Sequence, residues 1–328
     1  MQLSRRTDHV ETWSPPYVGS YCSRMQIEIR RAATLADREA ALAVNNAVLP
    51  RRRISLADVL SYADAVEHSI ELLAEAAGEV VGSAHGGFEA GSQHPEASIA
   101  VLPDHRGRGA GAALYRGLSD WARSIGADAL YSAVEESDPE SFDWARRRGF
   151  VERSRESRLV LDLDELDPPA IEAPAGIEIV TWAERPDASK GVHKVYVEAS
   201  PDIPGQEDEP APEYGEWLRQ HMQGAGDRPE ATFVALAGDE VVGYSKFFLT
   251  DAQPDVAYHD LTAVKRAWRG RGIARALKAT QIGWAKQHGY RRLETSNEER
   301  NAPIRRLNER FGYRLEPGRV LIAGPLAP

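Results

Sequence analysis

Val264-Lys265-Arg266-Ala267-Trp268-Arg269-Gly270-Arg271-Gly272-Ile273-Ala274 is the stretch that decides how this chain is read. A strand-like apolar run enters it, a glycine-rich turn follows, and helical periodicity starts at its end. Glycine lets a backbone approach a ligand closely. The free N–H groups at a helix start attract an anion such as a pyrophosphate. The same phrase stands earlier, from Val101 to Gly111, with Arg106-Gly107-Arg108-Gly109-Ala110-Gly111 in the place of the second loop.

The repeat extends beyond the loops. At a constant offset of 163 residues Trp121 meets Trp284, Gly126 meets Gly289, Leu130 meets Leu293 and Gly149 meets Gly312. Fourteen of the 45 pairs from 106 to 150 are identical, where ordinary composition gives about three by chance. This is an internal duplication. Upstream, Gly78-Glu79-Val80-Val81-Gly82 resembles Asp239-Glu240-Val241-Val242-Gly243, each a hairpin turn into a strand. Ile27-Glu28-Ile29 and Ile177-Glu178-Ile179 read as matching first strands. The proline-rich run from Asp167 to Pro174 is a linker. The expected organisation is a polar leader at 1–25, a first half at 26–168 and a second at 176–328. After each loop an amphipathic helix is expected, carried by Leu114, Leu118, Trp121 and Ile125, and by Ile273, Leu277, Thr280 and Trp284. The fold class is α/β, with a mixed, twisted sheet flanked by helices in each half.

Composition narrows the function. The chain of 328 residues carries a net charge of −10, which opposes bulk binding to nucleic acid or anionic membrane. No apolar run approaches membrane-spanning length, and the leader lacks the apolar core of a secretory signal. A cytoplasmic location is expected. The one cysteine, Cys22, lies in the leader and is a poor nucleophile candidate. No metal-ligand pattern stands out.

Three phosphate-binding readings of the loops compete. A nucleotide P-loop needs Gly-Lys followed by Ser or Thr, and neither copy has it. A dinucleotide fingerprint fits Gly107, Gly109 and Ala112 by spacing but meets Arg275 at the third small position of the second copy. The third reading fits both copies: valine, four residues, then Arg-Gly-x-Gly-x-Gly/Ala. That pattern, with the amphipathic helix, the strand and a second helix ending in Gly149-Phe150 or Gly312-Tyr313, resembles the acyl-CoA loop and surroundings of the GNAT superfamily of N-acetyltransferases. The resemblance covers almost the whole chain, as two such domains in tandem.

The resemblance implies acetyl-CoA as acyl donor, a small amine as acceptor and no metal. It implies cofactor contacts from Val101, Arg106, Gly107, Arg108, Gly109, Ala110 and Gly111 in one half. In the other it implies Thr262, Val264, Arg269, Gly270, Arg271, Gly272, Ile273 and Ala274. At least one of Arg269 and Arg271 is expected on the phosphates, the alternative being solvated surface charge. In the family the strand before the loop splays from its neighbour, and one of its faces looks into the active site. Strand alternation counted back from Val264 puts Thr262, Asp260 and Tyr258 on one face and turns His259 away. The same count from Val101 gives Ile99, Ala97 and Pro95, with no base. Asp260 is the candidate base, the alternative being a structural carboxylate, and Tyr258 is a candidate acid.

The family pattern also places Asn at the start of the second helix, often with Tyr seven residues on. Here they are Asn301 and Asn308 in the second half, and Asp138 and Ala145 in the first. Asn301 is expected to hold the cofactor arm or order the helix start, while Asp138 reads as a helix cap before Pro139. The acidic, proline-rich run from Ser200 to Pro210 is either a mouth that attracts a cationic amine or a solvated loop. Tyr214 and Trp217 either wall the acceptor pocket or simply pack. Arg51-Arg52-Arg53 reads as a solvated face, the alternative being a site for a 3′-phosphate.

The expected function is acetyl-CoA-dependent N-acetylation of a small-molecule amine, with catalysis in the second half and a degenerate first half. A non-catalytic acyl-CoA-binding regulatory or scaffold protein stands as the alternative, and a mycothiol-synthase-like enzyme as a further one. The acceptor, the acyl chain length and the oligomeric state stay open.

Overall fold

The computed structural model describes residues 27–328 apart from 89–94, 165, 171, 204–209 and 299–300. The leader and Cys22 lie outside the described residues. In the first half β1 (Ile27–Arg31) leads through α1 (Leu35–Val48) and α2 (Leu56–Ala65) to β2 (His68–Ala76), β3 (Glu79–Phe88) and β4 (Glu96–Val101). Then come α3 (Ala110–Ser124), β5 (Ala129–Glu135), α4 (Pro139–Arg146) and β6 (Val151–Asp162). The second half repeats the order with β7 (Glu178–Thr181), α5 (Ser189–Ala199), α6 (Tyr214–His221), β8 (Thr232–Ala237), β9 (Glu240–Phe248) and β10 (Val256–Val264). It closes with α7 (Ile273–Gln287), β11 (Arg292–Glu298), α8 (Ala302–Arg310) and β12 (Arg314–Pro325).

Local chemistry sets these elements. Thr34 with Asp37 and Ser55 with Asp58 form capping boxes that start α1 and α2. Asp138 accepts the Ser141 N–H and caps α4, as its place before Pro139 predicts. The β2–β3 and β8–β9 hairpins turn at Gly78 and Gly238, both left-handed. The helices after the loops bury the expected stripe. Leu114, Leu118 and Trp121 pack in one core, Ile273 and Leu277 in another, and Trp284 lies half-buried against the second. A third core gathers around Trp217, Tyr196 and Tyr244 beneath α5 and α6. Among the described residues no helix is long and apolar enough to cross a membrane.

Among the described residues twelve strands form one mixed, twisted sheet in the order β1-β2-β3-β4-β5-β12-β6-β11-β10-β9-β8-β7. The halves exchange their last strands: β6 lies against β11 of the second half, and β12 against β5 of the first. The exchange follows the duplication. The 163-residue offset carries the pair Asp162–Arg292 onto Pro325–Ala129, and carries Glu156–Arg319 onto itself. An approximate two-fold axis therefore passes between Glu156 and Arg319, whose side chains are ion-paired at 2.6 Å.

Gly318 lies beside that axis, and a Cβ there would stand 1.8 Å from the Glu156 carbonyl oxygen. The obstacle is backbone, so no side-chain rotation relieves it. Gly318→Ala is expected to destabilise the protein by about 3 kcal/mol or more, in the range of severe overpacking. Urea unfolding monitored by circular dichroism tests this; an unshifted midpoint refutes the close approach.

Candidate active site

Each glycine loop opens into a helix whose N-cap is a left-handed glycine, Gly109 at φ 101° and Gly272 at φ 88°. Neither cap has a side chain that accepts the first N–H groups, so those donors await another acceptor. Gly107 and Gly270 are also left-handed, and a Cβ on Gly107, Gly109 or Gly270 would meet nothing within 4 Å. The cradles suit a pyrophosphate: open, free of side chains and lined by donors at the positive end of a helix. The linker passes close to the second one, with Pro174 at 3.7 Å from a Cβ built on Gly272.

The arginines divide their roles. Nε of Arg106 donates to the Val101 carbonyl at 3.2 Å, and Nε of Arg269 donates to Val264 at 2.9 Å. The first arginine of each phrase thus ties the loop back to its strand. Arg269 also pairs with Asp202 at 2.7 Å, and Arg106 with Asp138 at 3.6 Å. Arg271 donates to the Ala267 carbonyl and covers the Trp268 ring, 4.6 Å from its centroid. Arg108 is exposed, Ala110 and Ile273 are buried in the cores, and Gly111 and Ala274 are half-buried.

Both loop strands splay. β10 runs parallel to β11 only from Val256–Arg292 to Tyr258–Glu294, and β4 meets β5 only at Glu96–Tyr131. A bulge in β10 then corrects the alternation argument. His259 lies opposite Phe247 and Thr262 opposite Ser245, so Asp260 and Leu261 together face Lys246. Beyond the bulge Thr262 and Val264 fall on the face of His259, while Tyr258 and Asp260 share the other face with Lys246 and Phe248. Thr262 is therefore not beside Asp260. His259 does turn from it: its ring is buried, bonded to Gln281 at 3.1 Å and to the Tyr313 hydroxyl. β4 carries no bulge. Its Val101, Ile99 and Ala97 pack on the core, and its cleft face carries Ala100, Ser98 and Glu96. The expectation that the first half offers no ionisable group there is overturned by Glu96.

Asp260 and Tyr258 line a cleft of about 320 Å³ in the second half. The Lys246 ammonium stands 3.0 Å from Asp260 and 2.5 Å from Asp227, and it also donates to the His221 carbonyl. Lys246 is buried, whereas the Asp260 side chain is 48% exposed. Burial opposes the lysine charge, but Asp260 and Asp227 outweigh it and hold its pKa above the ordinary lysine value. Burial pushes the Asp227 carboxyl up. The Tyr258 hydroxyl donates to Gln253 at 2.6 Å. Burial, helped by Glu294, pushes it up to about 12.

The first half reaches into this cleft. Arg52, Arg53 and Ile54, from the loop between α1 and α2, line it, and Arg52 pairs with Glu135 at 3.1 Å. The arginine run is thus partly a cleft wall rather than only a solvated face. The exchanged strand β6 adds Arg158, which grips Glu294 through two bonds of 2.8 and 2.6 Å in a buried pair. Sequence reasoning missed Lys246 and Arg158 because only tertiary pairing places them here.

The other candidates are distributed differently. Asn301 begins α8 without a side-chain cap bond. Asn308 is fully buried and donates to Asn297 at 2.8 Å. Trp217 is a core residue, and Tyr214 bonds Ser189 at 2.8 Å. Asp202 is committed to Arg266 and Arg269, while residues 204–209 of the acidic run lie outside the described residues. Among the described residues no group of three or more His, Cys, Asp or Glu is placed to hold a metal ion.

Behind the cleft strand, Lys278 of α7 is 1% exposed, with Nζ 5.3 Å from the centre of the Tyr313 ring. Burial pushes it down from 10.5 to about 7. Between those values the unfolded chain holds the extra proton, so stability rises with pH through that window. Lys278→Met is expected to melt higher than the wild type at about pH 7 and to lose that alkaline gain. Thermal melts at the two ends of the window check this; parallel curves for both proteins refute it.

Comparison with known proteins supplies the relationship. The chain matches the model of the acetyltransferase (GNAT) family over residues 45–150 and 191–313, more than half its length. No curated protein matches it significantly. A GCN5-related N-acetyltransferase of Sphaerobacter thermophilus superposes with TM-score 0.70 at 23% identity, over 93% of this chain and 97% of that one. A tandem GNAT protein from the clavulanic acid biosynthesis pathway superposes with TM-score 0.72 at 21% identity, over 92% and 99%. At these identities the likeness is one of fold. The family match spans the glycine loop and splayed strand of both halves, and the chain belongs to the GNAT family of acetyltransferases, as a tandem of two GNAT folds.

Proposed function

We propose that the protein is an acetyl-CoA-dependent N-acetyltransferase acting on a small-molecule amine. In this reading residues 176–328 form the catalytic half and 26–168 a half that has lost catalytic equipment. The observation that carries it is the bulge of β10, which turns Asp260 into the cleft beside the strand that ends at the second glycine loop.

Acetyl-CoA brings the activated thioester; the acceptor nitrogen bonds to its carbonyl carbon, the carbon–sulfur bond breaks, and the thiol leaves. The chain supplies the rest. Asp260 accepts the amine proton, directly or through a water, while Lys246 fixes its orientation. The Tyr258 hydroxyl, protonated at neutral pH, stands on the same face as a donor for the leaving sulfur. The N–H groups around Gly270 and Gly272 hold the pyrophosphate. Asn301, whose side chain makes no cap bond at the start of α8, is available to the cofactor arm.

A second reading, an acyl-CoA-binding protein without turnover, is favoured by Asn308. The position that carries a tyrosine in many relatives is here a buried amide bonded to Asn297. Thiol release from acetyl-CoA over a panel of small amines separates the two. Amine-dependent release supports the enzyme; tight acetyl-CoA binding with no release from any amine supports the binder.

A further inference from the structure

The cleft of the second half is electrically divided. At its Asp260 end a single lysine, Lys246, sits between two carboxylates, Asp260 and Asp227, which leaves negative charge in excess. At the other end the balance is reversed. Glu294 and Glu316 are shared by three arginines, Arg158, Arg292 and Arg51. Arg52 pairs with Glu135. Burial lowers the Arg52 pKa, and the Arg319 and Arg158 charges lower it further against the pull of Glu135, the mark of crowded like charge. Arg53 is exposed, lines the cleft and has no ion pair or side-chain hydrogen bond among the described residues.

The loop that carries the positive end is held in place. Asn46 of α1 grips Ile54 through two bonds of 2.9 and 3.1 Å. α2 then docks on the second half, where Asp58 accepts the Thr250 hydroxyl at 2.5 Å and Ser61 accepts the Ala225 N–H at 3.0 Å. The Arg51 carbonyl lies 3.3 Å from the Tyr258 hydroxyl. The first half thus delivers its arginines to the second half's cleft. Its own cavity, of about 330 Å³, has no arginine or lysine among the described residues that line it. A cofactor phosphate does not account for Arg53. The glycine cradle lies beyond Val264, whereas the part of β10 that lines the cleft is Tyr258 to Asp260.

We infer that the acceptor is an amino acid or similar amino carboxylate, its amine meeting Asp260 and its carboxylate pairing with Arg53. The inference rests on reading this cleft as the acceptor site. A molecule with an ammonium and an anion complements a cleft with one end of each sign. One guanidinium without a counter-charge matches one carboxylate, and the pair forms charge-assisted, often bidentate bonds. A phosphate carries nearly two charges and would leave the balance reversed. Much of the remaining lining is polar, with Thr250, Gln253, Thr295 and Ser296 facing the apolar Phe248 and Ile54. A short polar molecule therefore suits the space of about 320 Å³ better than a hydrocarbon one. In this arrangement the first half selects the acceptor that the second half acetylates.

The test is calorimetric titration of the full-length protein saturated with CoA, so that binding is read without turnover. The probes are the L-amino acids and the straight-chain ω-amino acids of two to six carbons, each against its own amide, with O-phosphoethanolamine as the phosphate arm. At least one acid is expected to bind about tenfold or more tightly than its amide, the preference of a charge-assisted pair. Arg53→Gln is expected to bring acid and amide together. Arg53→Glu is expected to reverse the order, so that straight-chain diamines bind more tightly than the ω-amino acids. Arg116→Gln, exposed on α3 outside the cleft, is expected to keep the wild-type preference. Because Arg53 is exposed and unpaired among the described residues, its variants are expected to melt like the wild type by circular dichroism. No acid preferred over its amide, a preference that survives both Arg53 variants, or tightest binding of O-phosphoethanolamine overturns the proposal. Loss of CoA affinity in Arg53→Gln with the preference kept assigns Arg53 to the 3′-phosphate and overturns it too. If the enzyme reading alone fails, no amine or amino acid releases thiol from acetyl-CoA, yet the preference and its loss in Arg53→Gln remain.

Discussion

Asp260→Asn is expected to lower turnover by about 10²–10⁴-fold, the usual worth of a positioned proton acceptor, with acyl-CoA affinity unchanged. The substitution keeps shape and removes the ability to take a proton. It spares the fold for a reason visible in the cleft. The Asp260 side chain is 48% exposed and among the described residues its ion pair is to Lys246, which keeps Asp227 as a buried partner. Stability is therefore expected to change by no more than about 1 kcal/mol. Steady-state thiol release and acetyl-CoA titration on the same preparation check both parts. Undiminished turnover removes Asp260 from the chemistry, while loss of cofactor binding along with turnover assigns it to structure.

Gly272→Asp is expected to raise the apparent Kd for acetyl-CoA by about 10²–10³-fold, the worth of two charge-assisted hydrogen bonds. Gly272 is the N-cap of α7, and aspartate is a strong capping residue that tolerates left-handed backbone better than most. Its carboxylate would satisfy the very N–H groups offered to the pyrophosphate and would repel the phosphates. A Cβ there meets only Pro174, at an ordinary 3.7 Å, so space permits the change. Gly109→Asp is the companion variant for the first loop. If that loop serves turnover instead, the loss moves from Gly272→Asp to Gly109→Asp.

Much of this molecule could be read from the chain. The 163-residue repeat, the loop phrase and the stripe through Leu114, Leu118 and Trp121 are local patterns, and local patterns carry helices, turns and a family resemblance. The bulge in β10 was not legible. Alternation has no marker for an extra residue, and Asp260-Leu261 opposing Lys246 becomes visible only once β9 is laid beside β10. The count from Val264 began on the core-facing side, and the bulge returned Asp260 to the cleft face. The same count in the unbulged β4 landed on core residues and passed over Glu96. Lys246 and Arg158 were invisible for a related reason. Each lies on a strand away from the loop, and only tertiary pairing gives it a partner. Arg52 looked like surface because nothing in the first half's sequence says that it borders the second half's cleft.

The exchange of β6 and β12 has a consequence for how the chain is made and unmade. Both seats are antiparallel, and each half is completed only by the last strand of the other. The seat beside β5 is filled by β12 from the far end of the second half, and so long-range a pairing is a late step in folding. A protease that nicks the linker between Asp167 and Pro174 would leave two fragments, each holding an inner strand of the other's sheet. They would co-migrate on a sizing column until a denaturant parted them.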